Sequence, residues 1–272
     1  MYLLILYLPF LSFLISIFFS EFLGNKGVCF LSTFFLGLTM LISLFIFFEI
    51  IVCNSLCNVS FSEWINVGFF HIKWSFYYDG LSSLMAVMIT IVSFCVHMFS
   101  ISYMNGDVQQ EKFMGLLSIF TFFMLFLTIA DNFFQLVLGW EGVGICSYLL
   151  INFWYMRKMT NDSALKALFF NRIGDFCLII AMFLIYYYLK TFDFILIFDN
   201  YILLQIKLIN LFGFQLNLLD LISCLIVIAS IAKSAQILLN GWLLDAMEGP
   251  TPVSALIHAA TMVIIKSCRG MM

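Results

Sequence analysis

The chain has 272 residues, 64% of them hydrophobic and only 10% charged, with a formal net charge of −3. Its mean hydropathy of +1.11 excludes a water-soluble fold, in which ~45–50% of residues are apolar. With no block of like charge and no Lys/Arg-rich stretch, it offers no electrostatic surface for nucleic acid or acidic substrates.

A membrane-spanning helix needs ~20 predominantly apolar residues. Divided at its polar interruptions, the chain reads as an all-α integral membrane protein, a polytopic bundle of about eight transmembrane helices. The expected spans are 2–20, 28–52, 80–104, 113–130, 133–155, 163–189, 218–243 and 253–268. The first lacks a basic flank and a small-residue cleavage site, so it reads as a span rather than a removed signal. Residues 1–52 thus supply two N-terminal helices. Residues 53–79 mix polar and aromatic side chains (Trp64, Trp74, Tyr77, Tyr78), which predicts an interfacial connection, partly as short strands. Spans four and five meet at Ala130-Asp131-Asn132 with almost no loop, a tight antiparallel turn. Alternate loops hold Lys26, Lys112, Arg157, Lys158 and Lys166 on one side and Lys73, Lys190 and Lys207 on the other, which favours an outer N-terminus. The eight cysteines fall mostly in apolar runs and read as packing, and the Cys53/Cys57 spacing matches neither a zinc nor a redox motif. Thirty-four phenylalanines suit a T-rich organellar genome.

A charge at mid-membrane costs ~2.5–3.5 kcal/mol even on the insertion scale, so each such residue needs a partner, a water-filled cavity or a neutral form. The candidates are Glu49, His97, Glu141, Arg172, Asp175, Lys233 and His258. Glu141 lies in Leu138-Gly139-Trp140-Glu141-Gly142-Val143-Gly144, among glycines that allow close helix approach and that no strand precedes, so they form no nucleotide loop. Lys233 sits mid-span, where burial disfavours its charged form and a nearby carboxylate restores it. That balance suits either a switchable proton site or a permanent Glu–Lys pair that fixes helix register. Asn171, Arg172 and Asp175 are expected to share one inward helical face, with Asp175 either holding Arg172 or acting on Glu141 and Lys233. Thr251 can cap a helix that starts at Pro252 and places His258 about two turns in. An imidazole there can relay protons near neutral pH or simply bond a backbone carbonyl. Glu49, near a span end, can snorkel, and His97 can bond within the bundle.

These residues strongly resemble the antiporter-like membrane-arm subunits of respiratory complex I, the chain 5 family in particular, and more distantly the Mrp-type sodium/proton antiporter subunits. The resemblance covers about residues 75 to 263. It is carried by Tyr78-Asp79-Gly80-Leu81-Ser82-Ser83-Leu84-Met85, the Glu141 segment, Asn171-Arg172-Ile173-Gly174-Asp175, Ala232-Lys233-Ser234-Ala235-Gln236, and above all the long run from Asp245 through Glu248-Gly249-Pro250-Thr251-Pro252 to His258 and Val263. It implies an antiporter-like proton-translocation half-channel over 80–263, with an interrupted seventh helix. Glu141 and Lys233 would exchange protons, His258 would carry them onward and Asp175 would stand beside the pair.

The resemblance further implies the mitochondrial inner membrane, other complex I membrane-arm subunits and lipid as partners, and proton transfer alone as the chemistry. No flavin, iron–sulfur or haem ligand set is recognisable, so no cofactor is expected on this chain. Residues 264–272 diverge as a C-terminal tail, which points to a second chain carrying the missing C-terminal helices or to a truncated gene. Two rival readings remain, a cation/proton antiporter subunit and a non-conducting structural membrane fragment.

Overall fold

The computed structural model describes residues 1–53, 55–68, 70–211, 214–236 and 239–257. Helix α1 (Leu4–Phe18) carries Pro9 in its interior, and α2 (Ser20–Cys53) breaks at Gly24, whose φ of 63° and ψ of 169° few side-chain-bearing residues adopt. Strands β1 (Cys57–Val67) and β2 (Phe70–Tyr78) form an antiparallel hairpin over the segment expected to be interfacial. Then follow α3 (Gly80–Tyr103), α4 (Gln110–Thr128), α5 (Phe133–Ile151) and α6 (Lys158–Leu189). Asp79 starts α3 through a capping box: its carboxylate accepts from the Ser82 amide, and the Asp79 amide donates back to the Ser82 hydroxyl at 2.8 Å.

Between α6 and the next long helix the sequence pattern predicts only a connection. The chain there forms α7 (Phe194–Asp199), α8 (Tyr201–Ile206) and a second small hairpin, β3 (Leu208–Leu211) with β4 (Phe214–Asn217). Helix α9 (Leu218–Lys233) and the five-residue α10 (Gly241–Asp245) come next, and residues 251–257 are helical.

The expected helical membrane bundle is present, with fewer than about eight helices of full spanning length among the described residues. Among the described residues five helices, α2 to α6, are long and apolar enough to cross a membrane, whereas α1 has 15 residues and α9 has 16. The span drawn over 218–243 ends at Lys233, because the backbone turns there. Only 253–257 of the last span, drawn over 253–268, lies within the described residues. Its start also shifts by one residue: the Pro250 carbonyl accepts from the amides of Val253 and Ser254, so Thr251 is already inside the helix rather than capping it.

Helix α4 packs on α1, α2, α3 and α5, and α6 packs on α5 and α9, so α5 lies between two halves of the bundle. One core cluster joins α1 to α5 around Phe113, Leu117, Phe120 and Leu125; a second lies under α5, α6 and α9 around Trp140, Leu178, Ile185 and Ile222. Large apolar side chains also cover the outside, including Phe30, Phe34, Phe45, Phe48, Phe169, Phe176 and Phe183, as a lipid-facing surface requires.

The β1–β2 hairpin closes one end. Tyr78 Oη donates to the Tyr2 carbonyl at 2.9 Å, the Tyr77 amide to Ile129 at 3.0 Å, and Asn132 Nδ2 to the Lys73 carbonyl at 2.8 Å. Lys190 and Lys207 lie at this hairpin end, resting over the rings of Tyr186, Tyr187 and Tyr188. The α3–α4 and α5–α6 connections lie at the opposite end with Lys112, Arg157 and Lys158.

Candidate functional site

Helix α5 has to approach its neighbours closely, and its glycines permit that. A Cβ on Gly139 would stand 2.9 Å from Leu127 Cα in α4, and one on Gly142 would collide with the Phe123 ring. On the α9 side, a Cβ on Gly174 of α6 would stand 2.8 Å from Ala232 Cβ. Gly144 serves a different neighbour: its missing Cβ would lie 3.2 Å from Lys233 Nζ, so the glycine makes room for the ammonium group.

The break after Lys233 has identifiable chemistry. The Gln236 amide donates to the Ile231 carbonyl at 3.1 Å and the Ala235 amide to Ala232 at 3.4 Å, the bond pair of a Schellman motif. Ala235 occupies its left-handed position at φ 50°, where glycine is usual and an L side chain costs roughly 1–2 kcal/mol. Trp242 Nε1 donates to the same Ala232 carbonyl at 3.1 Å, a second donor to that acceptor at the helix end. Lys233 is therefore the last residue of α9, where the helix dipole favours a cation.

Trp140 is the hub around which the charged groups gather. Its Nε1 donates to Asp175 Oδ1 at 2.7 Å, its carbonyl accepts from Lys233 Nζ at 2.9 Å, and the same ammonium stands 5.3 Å from its ring centroid. Trp140, Asp175 and Lys233 are all nearly inaccessible, at 1%, 4% and 4% relative exposure. Glu141, next along α5, turns another way and forms an ion pair with Arg172 at 2.8 Å.

The structure therefore brings Asp175 and Lys233 together through Trp140 and sets Glu141 beside them, but gives Glu141 a different partner. Among the described residues, the expected direct Glu141–Lys233 contact is absent. The expected single face on α6 also divides. Asn171 and Asp175, one turn apart, are buried, whereas the Arg172 side chain is 52% exposed and reaches Glu141 instead of Asp175. Asn171 Oδ1 finds no hydrogen-bond partner among the described residues. His258 lies outside the described residues.

The remaining candidates occupy bland positions. His97 is fully enclosed, with Nδ1 2.8 Å from the Ser93 carbonyl and Nε2 3.4 Å from Ser118 Oγ. Glu49 is exposed near the end of α2. The sequence reading missed Trp140 and Trp242. Their signal was available, because a buried indole N–H in an apolar helix requires an acceptor.

The family model described as NADH:quinone oxidoreductase/Mrp antiporter, TM, matches residues 130–268, and that of the complex I chain 5 N-terminus matches 64–114. Relatives named NADH-ubiquinone oxidoreductase chain 5 include those of Chondrus crispus, 51% identical over 263 residues, and Dictyostelium citrinum, 48% identical. Each alignment covers 97% of this chain, which spans about two-fifths of the relatives' length (40% and 39%). Among solved structures, the Mrp complex from Dietzia superposes with a TM-score of 0.78 at 23% identity, over 96% of this chain and 27% of that one. An archaeal membrane-bound sulfane sulfur reductase gives 0.79 at 17% identity, over 96% and 51%.

Proposed function

Because this chain belongs to the NADH:quinone oxidoreductase/Mrp antiporter family of membrane subunits, we propose that it is a proton-translocating part of the membrane arm of NADH:ubiquinone oxidoreductase, in the mitochondrial inner membrane. The observation that carries the proposal is the Lys233 ammonium, buried at the broken end of α9 and joined through Trp140 to Asp175, with Glu141 adjacent. A cation in such a place is costly unless it is functional or tightly compensated.

In this reading the chain moves protons only. With Glu141 held by Arg172, Lys233 relies on the Trp140 carbonyl and on Asp175 for compensation and keeps its proton. Displacing Arg172 frees the Glu141 carboxylate to receive a proton from water. Lys233 then releases its own proton toward His258 and is reprotonated from Glu141, returning both groups to their starting charge. Oxidation of NADH and reduction of quinone take place on other subunits.

A companion protein is part of the reading. Arg172 lies near the middle of the 32-residue α6 with half its side chain exposed, and a guanidinium there is not left against lipid. We infer that further membrane-arm helices cover this face, among them those that the relatives carry beyond the shared region. Mass spectrometry of the purified assembly tests that inference.

The test of the relay is NADH-driven proton translocation by the assembled complex in liposomes. Glu141→Gln and Lys233→Met are each expected to lower the protons moved per NADH while leaving assembly intact. Unchanged stoichiometry in both would overturn the relay in favour of a structural role. Transport driven by a sodium or potassium gradient without NADH would instead support a cation/proton antiporter.

A further inference from the structure

Four buried polar atoms lie around the start of α5, away from the Lys233 site: Asn132 Oδ1, both amide atoms of Gln135, and Thr191 Oγ1. None finds a hydrogen-bond partner among the described residues. Asn132 and Gln135 are both 0% exposed. A buried amide left unbonded is costly, and buried polar groups in folded proteins are nearly always satisfied.

The backbone places these atoms together. The Phe133 amide donates to the Phe192 carbonyl at 3.1 Å, the Phe194 amide to Asp131 at 3.3 Å, and Asn132 pairs with Asp193 in an antiparallel bridge. Thr191 is adjacent to Phe192 in that crossing. Side chains in a helix lean toward its N-terminus and cover the preceding turn, so Gln135 reaches back over Asn132 and Asp131. Asp131 is itself buried, and its Oδ2 accepts from Ser75 Oγ of the hairpin at 2.7 Å. The bond from Asn132 Nδ2 to the Lys73 carbonyl fixes the orientation of that amide, since turning it over would break the bond.

We propose that Asn132, Gln135 and Thr191 hold a cluster of ordered water molecules between the head of α5 and the 190–194 crossing, and that this water forms the hairpin-side end of the proton route. A buried water needs two to four polar partners, and the unpartnered oxygens together with the Gln135 Nε2 donor supply them. Asp131 and Asp193 flank the cluster on the side of the aqueous interface. Gln135 precedes Trp140 by five residues, a rise of roughly 7–8 Å at 1.5 Å per residue, which is the distance a proton has to cover from the cluster to the Trp140–Lys233 site. The cluster's existence rests on the unpartnered atoms alone, and its transport role rests on the relay reading.

The experiment has two readouts on the assembled complex. A density map fine enough to show ordered water is expected to place water within hydrogen-bond distance of both ends of the Gln135 amide. Gln135→Leu, which keeps the volume and removes both polar atoms, is expected to assemble, lose that water and translocate several-fold fewer protons per NADH. The proposal is overturned if the wild-type map shows no water there, which decides the matter even where the variant fails to assemble. It is overturned equally if Gln135→Leu pumps at the wild-type stoichiometry while Glu141→Gln does not. If Glu141→Gln also pumps normally, the relay itself fails and the transport role of the cluster falls with it.

Discussion

Lys233 donates its ammonium proton to the backbone carbonyl of Trp140 at 2.9 Å, and the indole of the same tryptophan donates to Asp175 at 2.7 Å. Trp140 therefore separates the lysine from one carboxylate while bonding to both. The neighbouring Glu141 is held apart by Arg172.

Trp140→Phe keeps the ring beside the ammonium and removes the donor to Asp175. Leaving a buried carboxylate short of a hydrogen bond costs about 1–3 kcal/mol. A lowered thermal midpoint and fewer protons translocated per NADH in the assembled complex are the expected results. A variant with wild-type values in both would show that the indole bond is dispensable.

Two glycines of α5 should separate folding from transport. Gly139→Ala places a Cβ 2.9 Å from the Leu127 backbone, so overpacking is expected to cost about 1–3 kcal/mol and to reduce assembly. Gly144→Ala meets only the flexible end of Lys233 at 3.2 Å. It should assemble normally yet shift the ammonium and impair translocation, as comparison of assembled yield with activity per complex would reveal.

Ala235→Gly relieves the left-handed strain at the end of α9 and is expected to stabilise the protein by roughly 1 kcal/mol. Thermal unfolding of the purified assembly measures this. A fall in the midpoint would mean that the Schellman turn is not the resting conformation.

Asp193, in the crossing outside the membrane-spanning helices, has its carboxyl raised above the ordinary range by burial and then by the Asp131 carboxylate, with Lys73 opposing. The folded state therefore binds the proton more readily than the unfolded chain. Its stabilising contribution is complete below the unfolded carboxylate value of ~3.9 and is lost as pH rises through the raised folded value. Asp193→Asn should flatten this part of the stability–pH profile in the mildly acidic range, as thermal midpoints at several pH values would show. An identical profile for the two proteins would remove Asp193 as its source.

Much of the molecule was legible before any coordinates. Apolar runs marked α2 to α6 because lipid requires about 20 apolar residues per crossing. The aromatic and polar stretch after Cys53 marked the hairpin. The cost of intramembrane charge selected Glu141, Asp175 and Lys233 without reference to geometry. Hydropathy did not disclose the break after Lys233, since Ser234 and Ala235 are tolerated in an apolar helix and only the backbone bonds reveal the turn. Spacing also misdirected Arg172: three residues from Asp175 places it near that residue along the helix, but about 60° round the axis, enough to turn it out of the core.

The amino-acid sequence by itself determined that this is a membrane bundle with a small set of ionisable groups in its spans, because transfer of charge into hydrocarbon is expensive wherever it occurs. Which groups meet was decided only by the tertiary structure. Pairing depends on the azimuth of each side chain and on how closely glycines let α4, α5, α6 and α9 approach. Those close approaches place Lys233 on Trp140 and Arg172 on Glu141.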